Sequence, residues 1–207
     1  MSGLFITFEG GDGVGKSTQV GKLVEHLEAN GHTVVTTREP GGTDLGVEIR
    51  NIVLHHRGEI APRAEALLYA ADRAHHVATL VRPALERGDV VIQDRYFDSS
   101  VAYQGAGRVL DGAEIKDISL WATENLIPDL TILLDLDPAA ARVRLDAEEK
   151  AFDRLENEKH DFHARVREGF LALAAAEPAR WLVLYAADDR EAIAQAIRER
   201  VNQLLSA

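Results

Sequence analysis

A chain of 207 residues with 46% hydrophobic content, and no linker rich in serine, glycine or proline, has room for one sizeable core; a single domain over residues 1–207 is expected. With 34 acidic against 23 basic residues, a formal charge of -11, it lacks the positive field that binding a nucleic acid requires, so any polyanion must be met by a few placed cations. The absence of cysteine excludes disulfides and thiolate chemistry; no apolar run nears the ~20 residues that span a bilayer, and Met1-Ser2-Gly3 leads into a strand without a basic leader, which points to a cytoplasmic protein that touches no membrane.

The apolar run Leu4 to Phe8 reads as a buried strand, and Lys16 to Glu28 reads as a helix. Between them Gly10-Gly11-Asp12-Gly13-Val14-Gly15-Lys16-Ser17 matches G-x-x-x-x-G-K-[ST], a phosphate-binding loop in the strand-to-helix context that the pattern requires. Its glycines let backbone N–H groups face a polyphosphate, with Thr18 opening the helix whose positive end points at the anion. Lys16 is placed for the β- and γ-phosphates of ATP, and the Ser17 hydroxyl for Mg²⁺.

A second strand, Thr33 to Thr37, runs into Arg38-Glu39-Pro40-Gly41-Gly42-Thr43, a constrained turn in which Thr43 or Asp44 caps the helix Asp44 to Leu54. A long helix follows over Ala64 to Arg87. Four residues apart on it, Tyr69 and Arg73 share a face, and a flat ring beside a guanidinium suits recognition of a base.

The third strand, Val90 to Gln93, ends in Asp94-Arg95-Tyr96. A carboxylate at this place is the usual partner of a phosphate loop and can hold Mg²⁺ or its water, while the Arg95 fork suits a phosphate. The stretch Ser99 to Gly105 is dense in groups that can meet a base edge and a sugar. A helix over Gly112 to Asn125, strands over Leu130 to Asp135 and Trp181 to Tyr185, and a helix over Arg190 to Leu205 complete the chain.

Strands alternating with helices predict an α/β chain: a three-layer α/β/α sandwich around a five-stranded parallel sheet, of P-loop NTPase type. Ligands in such folds bind beyond the carboxyl ends of strands, so Glu9, Arg38, Asp94-Arg95 and Asp135 to Asp137 should meet at one rim. The neighbouring pairs His55-His56 and His75-His76 project in different directions on a helix and read as surface or packing residues, not metal ligands.

Taken together, Phe8-Glu9-Gly10 with the loop, Arg38 to Thr43, Ile49-Arg50, Tyr69 to Arg73, Asp94-Arg95-Tyr96, Tyr103-Gln104-Gly105, Pro128-Asp129-Leu130 and Asp153-Arg154-Leu155-Glu156 resemble the thymidylate kinase family, over nearly the whole chain. The resemblance implies transfer of the γ-phosphoryl group of ATP to dTMP, with Mg²⁺, in a homodimer formed through helices. It implies that Asp12 meets the deoxyribose 3′-hydroxyl, that Arg95 and Arg38 hold the acceptor phosphate, and that Tyr69, where the family usually has Phe, stacks on the base. Arg73 would read the thymine edge, Ser100 and Gln104 would contact the base, Tyr103 would crowd the 2′ position, and Pro40 and Arg50 would complete the acceptor site.

The family places its catalytic arginine in the loop or in a lid. Position 13 is Gly13, which leaves the lid, about residues 142–160, yet Arg142 to Arg154 carries four acids against four bases and lacks a helix breaker. One long helix from there into Phe162 is the expectation, with Arg142, Arg144, Lys150 and Arg154 as candidate cations and Arg154 the best of them. Two other readings compete: another nucleoside monophosphate or deoxynucleoside kinase, and a nucleotide-binding switch module. The Asn-Lys-x-Asp element of GTPase switches does not occur in the chain.

Overall fold

The computed structural model describes residues 3–108, 110–147 and 153–206. Five strands, β1 (Leu4–Glu9), β2 (Val34–Arg38), β3 (Val90–Asp94), β4 (Leu130–Asp135) and β5 (Trp181–Tyr185), form one parallel sheet in the order β2-β3-β1-β4-β5. The three central strands are buried along almost their whole length because both of their faces are covered; the edge strands β2 and β5 alternate in burial.

Period-two alternation sends successive residues of each strand to opposite layers. On one face Ile6, Phe8, Ile92 and Ile132 pack with Leu23 and Leu27 of α1 (Lys16–Ala29) and with Ile193 and Ile197 of the C-terminal helix, Arg190–Leu205. On the other, Phe5 and Val91 meet Val77, Val81, Tyr96 and Phe97. Beside them Leu133 and Trp181 meet Val53, Tyr69 and Phe170. This second layer is built from α2 (Asp44–His55), α3 (Pro62–His76), α4 (Arg82–Glu86), α5 (Phe97–Ser100), α6 (Gly112–Ala122) and α8 (His160–Ala176); α7 (Pro138–Asp146) adds Ala141 to the first cluster, and the C-terminal helix is α9.

The predicted helix over Ala64 to Arg87 is interrupted by a π-helical stretch, Val77–Val81, just before Pro83. Proline lacks the N–H and its ring collides with the carbonyl four residues back, and a wider turn lets the helix pass. A second π-helical stretch, Val101–Gly107, continues α5 and packs against α8. The approach is close: a Cβ at Gly107 would stand 2.7 Å from the Phe162 ring. The helix predicted over Gly112 to Asn125 stops at Ala122, where Glu124 and Asn125 take left-handed backbone angles.

The single long helix expected from Arg142 into Phe162 does not form. α7 ends at Asp146 and α8 begins at His160. Asp153 accepts from the N–H groups of Leu155 and Glu156, and Glu156 accepts from the Asp153 N–H at 2.9 Å; this reciprocal capping turn satisfies the backbone locally and competes with a continuing helix. Lys150 lies outside the described residues. Farther along, a fully buried ion pair joins α5 to the turn before β5, with Arg180 donating to both oxygens of Asp98 at 2.7 and 3.0 Å.

Candidate active site

Strand register aligns the rim: Phe8 and Arg38 both stand opposite Asp94, and Glu9 stands opposite Leu133. Directly beyond β1 the loop turns through Gly10, Gly13 and Gly15, all at positive φ. Gly13 is required twice over. Its φ is 74°, and a Cβ there would stand 2.9 Å from the Ala141 carbonyl and from Leu145 Cγ, so α7 rests on the loop itself. Lys16 folds back over the loop, donating to the Gly11 carbonyl at 2.8 Å, with Asp94 4.0 Å away. Burial, with Arg95 nearby, lowers the Lys16 ammonium from its ordinary value.

A donor groove opens beyond the loop, lined by Gly13 to Gln19, Asp94, Arg144 and the turn from Ala186 to Arg190. Asp94 Oδ1 is buried there with no hydrogen-bond partner among the described residues, and Ser17 borders the same groove. An orphaned carboxylate oxygen beside a hydroxyl is a donor set that suits a hard cation such as Mg²⁺.

On the other side of Asp12 lies a second cavity, lined by Pro40, Arg50, Tyr69, Arg73, Arg95, Ser100, Tyr103 and Gln104 among others. Nearly every predicted acceptor-side residue therefore meets in one place. Asp12, which lines both spaces, divides it from the donor groove and is tied to Arg95: Arg95 Nη2 donates to Asp12 at 2.6 Å and Nη1 to the Gly10 carbonyl at 2.9 Å. Burial would raise the Asp12 carboxyl, but Arg95 and Lys16 outweigh it and hold it at about 2. Tyr103 lies under the same guanidinium, 5.1 Å from its ring centre.

Arg95 has a left-handed backbone, φ 65°, uncommon for a residue with a side chain. The turn is pinned from four sides. Its N–H donates to the Phe8 carbonyl, its own carbonyl accepts from Gln93, the Tyr96 N–H donates to Glu9 Oε1, and Ser99 donates to Glu9 Oε2. Glu9 is fully buried, and that burial, with Asp98 beside it, raises its carboxyl to about 8.

Arg73, only 2% exposed, is held by a comparable frame: Nε donates to Glu39 at 2.7 Å, Nη1 to Ser119 and Nη2 to Ser100, each at 3.0 Å. The same Glu39 meets His76 Nδ1 at 3.0 Å, and His76 Nε2 meets Thr37 at 2.7 Å. His76 is thus a buried structural residue, as its sequence context suggests; among the described residues no cluster of three metal-ligating side chains forms. Asp72, next in the frame, accepts from the Gly41 N–H, and its burial, with Glu39 close, raises its carboxyl to about 6.

Four predicted residues lie elsewhere. Arg38 is exposed in a groove with Ser17, Gly41 and Asp94, outside the acceptor cavity. Arg144 borders the donor groove and donates to the Ala186 carbonyl. Arg154 is tied to the acceptor side, donating from Nε to the Val53 carbonyl at 2.8 Å and from Nη2 to Glu65. Arg142 borders a separate cleft behind Gly11 and Asp12. Glu9, expected only as a member of the rim, and Glu39 and Glu65 hold the cavity's cations and amides in place, a role that the sequence reading gives to none of them; Glu65 does stand one helical turn before Tyr69 and two before Arg73, a spacing that puts it on their face.

The thymidylate kinase family profile matches residues 8–197. The chain is 72% identical over 207 residues to the thymidylate kinase of Clavibacter sepedonicus, covering 100% of this chain and 98% of that one. It is 58% identical over 208 residues to the thymidylate kinase of Bifidobacterium longum strain DJO10A, covering 99% and 100%. The crystal structure of thymidylate kinase from Ehrlichia chaffeensis superposes with a TM-score of 0.80 at 33% identity, covering 98% of this chain and 100% of that one.

Proposed function

From a chain that belongs to the thymidylate kinase family, and that transfers the γ-phosphoryl group of ATP to dTMP to give dTDP and ADP on the way to dTTP, we propose the following division of labour. Residues 10–18 and Lys16 hold ATP, and Ser17 and Asp94 hold Mg²⁺, which when bound neutralises charge on the polyphosphate. Tyr69 stacks on the base of dTMP. Arg73, Ser100 and Gln104 read its edge, Tyr103 packs at the sugar, and Pro40 and Arg50 close the cavity wall. Arg38 reaches the acceptor phosphate from the neighbouring groove.

One observation carries the reading: Asp12 lines both spaces and is bonded to Arg95, which lines the acceptor cavity. An acceptor phosphate arriving at Arg95 competes with Asp12 for the guanidinium, which frees the carboxylate to accept from the sugar hydroxyl. The acceptor oxygen is thereby set in line with the phosphoryl group that Lys16 faces, and alignment with charge neutralisation is most of what phosphoryl transfer needs. Arg154 is the lid cation assigned to the transferring group; reaching it breaks the bonds to Glu65 and Val53.

We also propose that the chain, a single domain, works in the cytoplasm as a homodimer. Large apolar side chains stand exposed on three adjoining helices: Leu45 and Ile52 on α2, Leu67 on α3 and Trp121, 81% exposed, on α6. The whole reading is tested by coupled ADP release with dTMP, dUMP, AMP, CMP and GMP as acceptors, with the enzyme's mass in solution measured alongside. The expected result is fast turnover on dTMP alone or with weaker dUMP, by a dimer; acceptor-independent ATP hydrolysis would overturn the kinase assignment.

A further inference from the structure

Glu65 on α3 is fully buried and touches no solvent, yet it is among the most heavily bonded carboxyls in the chain. Gln104 Nε2 donates to Oε1 at 3.0 Å; Arg108 Nε and Nη2 reach Oε1 and Oε2 at 3.4 Å; Arg154 Nη2 donates to Oε2. Arg108 is itself fixed, donating to Glu158 at 2.5 Å and lying over the Phe162 ring. Burial would raise the Glu65 carboxyl, but Gln104, Arg154 and Arg108 outweigh it and keep it below its ordinary value.

An ionised carboxylate only accepts hydrogen bonds, so Gln104 meets it through its amide nitrogen and no flipped amide satisfies both groups. The Gln104 carbonyl oxygen is left over. It has no hydrogen-bond partner among the described residues, and Gln104 lines the acceptor cavity.

We propose that Glu65 is a specificity-determining residue for the acceptor base: by fixing the Gln104 amide it presents a hydrogen-bond acceptor to the cavity, which selects a pyrimidine bearing an imide N3–H over cytosine, whose N3 is itself an acceptor. The inference rests on the reading that this cavity takes the acceptor base. Glu65 touches no substrate and acts through Gln104, so it is a positioning residue. Its buried charge distinguishes thymine or uracil from cytosine, while the 5-methyl group is read elsewhere.

The test compares kcat/KM for dTMP, dUMP and dCMP in the wild type, in Glu65→Gln and in the exchange Glu65→Gln with Gln104→Glu. In Glu65→Gln the dTMP to dCMP preference falls roughly tenfold, chiefly through KM, with dTMP and dUMP falling together because both carry N3–H. In the exchange, the new amide donates to the new carboxylate, an acceptor again faces the cavity, and the preference returns to within about threefold of the wild type. An equal loss on all three acceptors in the single variant, or no recovery in the exchange, overturns the proposal; should the single variant not fold, the exchange decides. Gln104→Leu separates the two levels. A wild-type preference there overturns the base-site reading together with the inference, whereas a lost preference there and an unchanged one in Glu65→Gln overturns the inference alone.

Discussion

The two halves of the site are made of different material. The donor half is mostly backbone, a loop of glycines at positive φ closing on one helix with Lys16 laid across it, its centre within eight consecutive residues and its walls from Asp94, Arg144 and the turn Ala186 to Arg190. The acceptor half is side chains from α2, α3, the β3 turn and the second π-helical stretch, with three of its donors held by carboxylates: Arg73 by Glu39, Arg95 by Asp12, Gln104 by Glu65. Triphosphates share one charge pattern, and amides suffice to bind it. A nucleoside must be told from its neighbours, and that takes polar side chains that are unable to turn.

The contrast can be broken most severely at Lys16. Lys16→Ala lowers kcat/KM by roughly a thousandfold, since it removes charge that acts on the transferring group, while dTMP affinity stays within about threefold. Steady-state kinetics beside calorimetric dTMP binding measures both; a comparable loss of dTMP affinity would show that the halves are not separable. Glu39→Gln does the reverse and strikes the frame. It leaves Arg73 short of a buried counter-charge, disturbs the hydrogen bond to His76 and lowers unfolding stability by about 3 kcal/mol, with a raised KM for dTMP and an unchanged KM for ATP. Urea unfolding that matches the wild type would mean that the carboxylate does not carry the frame.

A smaller effect is expected at the junction of the halves. Arg154→Ala lowers kcat by roughly thirtyfold and dTMP affinity much less, because its assigned partner is the moving phosphoryl group; an unchanged kcat removes it from the chemistry. The smallest concerns pH. The Asp72 carboxyl is raised from 3.8 to about 6 by burial and Glu39, so the folded state binds the proton more tightly than the unfolded chain. Its contribution to stability is full below 3.8 and is lost as pH rises through 6. Asp72→Asn therefore flattens the stability curve by about 2 kcal/mol between pH 4 and pH 7. Parallel curves for the two proteins across that window would show that Asp72 does not titrate there.

The contrast also governs what the residues reveal before folding. The donor half is contiguous, so Gly10 to Ser17 and the strand before it are legible at once, as are the five strands, whose apolar runs end within a residue or so of the observed bounds. Tyr69 and Arg73 are legible because helical spacing puts them on one face. The π-helical stretches are not, because one extra residue in a turn leaves a helical pattern intact. Asp153 and Glu156 carry a capping pattern that stops a helix, yet it sits inside a charged run that otherwise favours one. The three glutamates are hidden for a stronger reason: an acidic side chain reads as solvent-facing until the cation that neutralises it is brought from elsewhere, and Arg154 is 89 positions from Glu65.

Gly13 has a bearing on how such an enzyme can change over generations. The space where a loop side chain at that position would project is filled by the Ala141 carbonyl and Leu145 of α7. A single substitution placing an arginine in the loop meets both a backbone angle it rarely adopts and a helix in its way. With the catalytic cation in the lid, as proposed, its relocation to the loop is a two-step route in which α7 must first be remodelled.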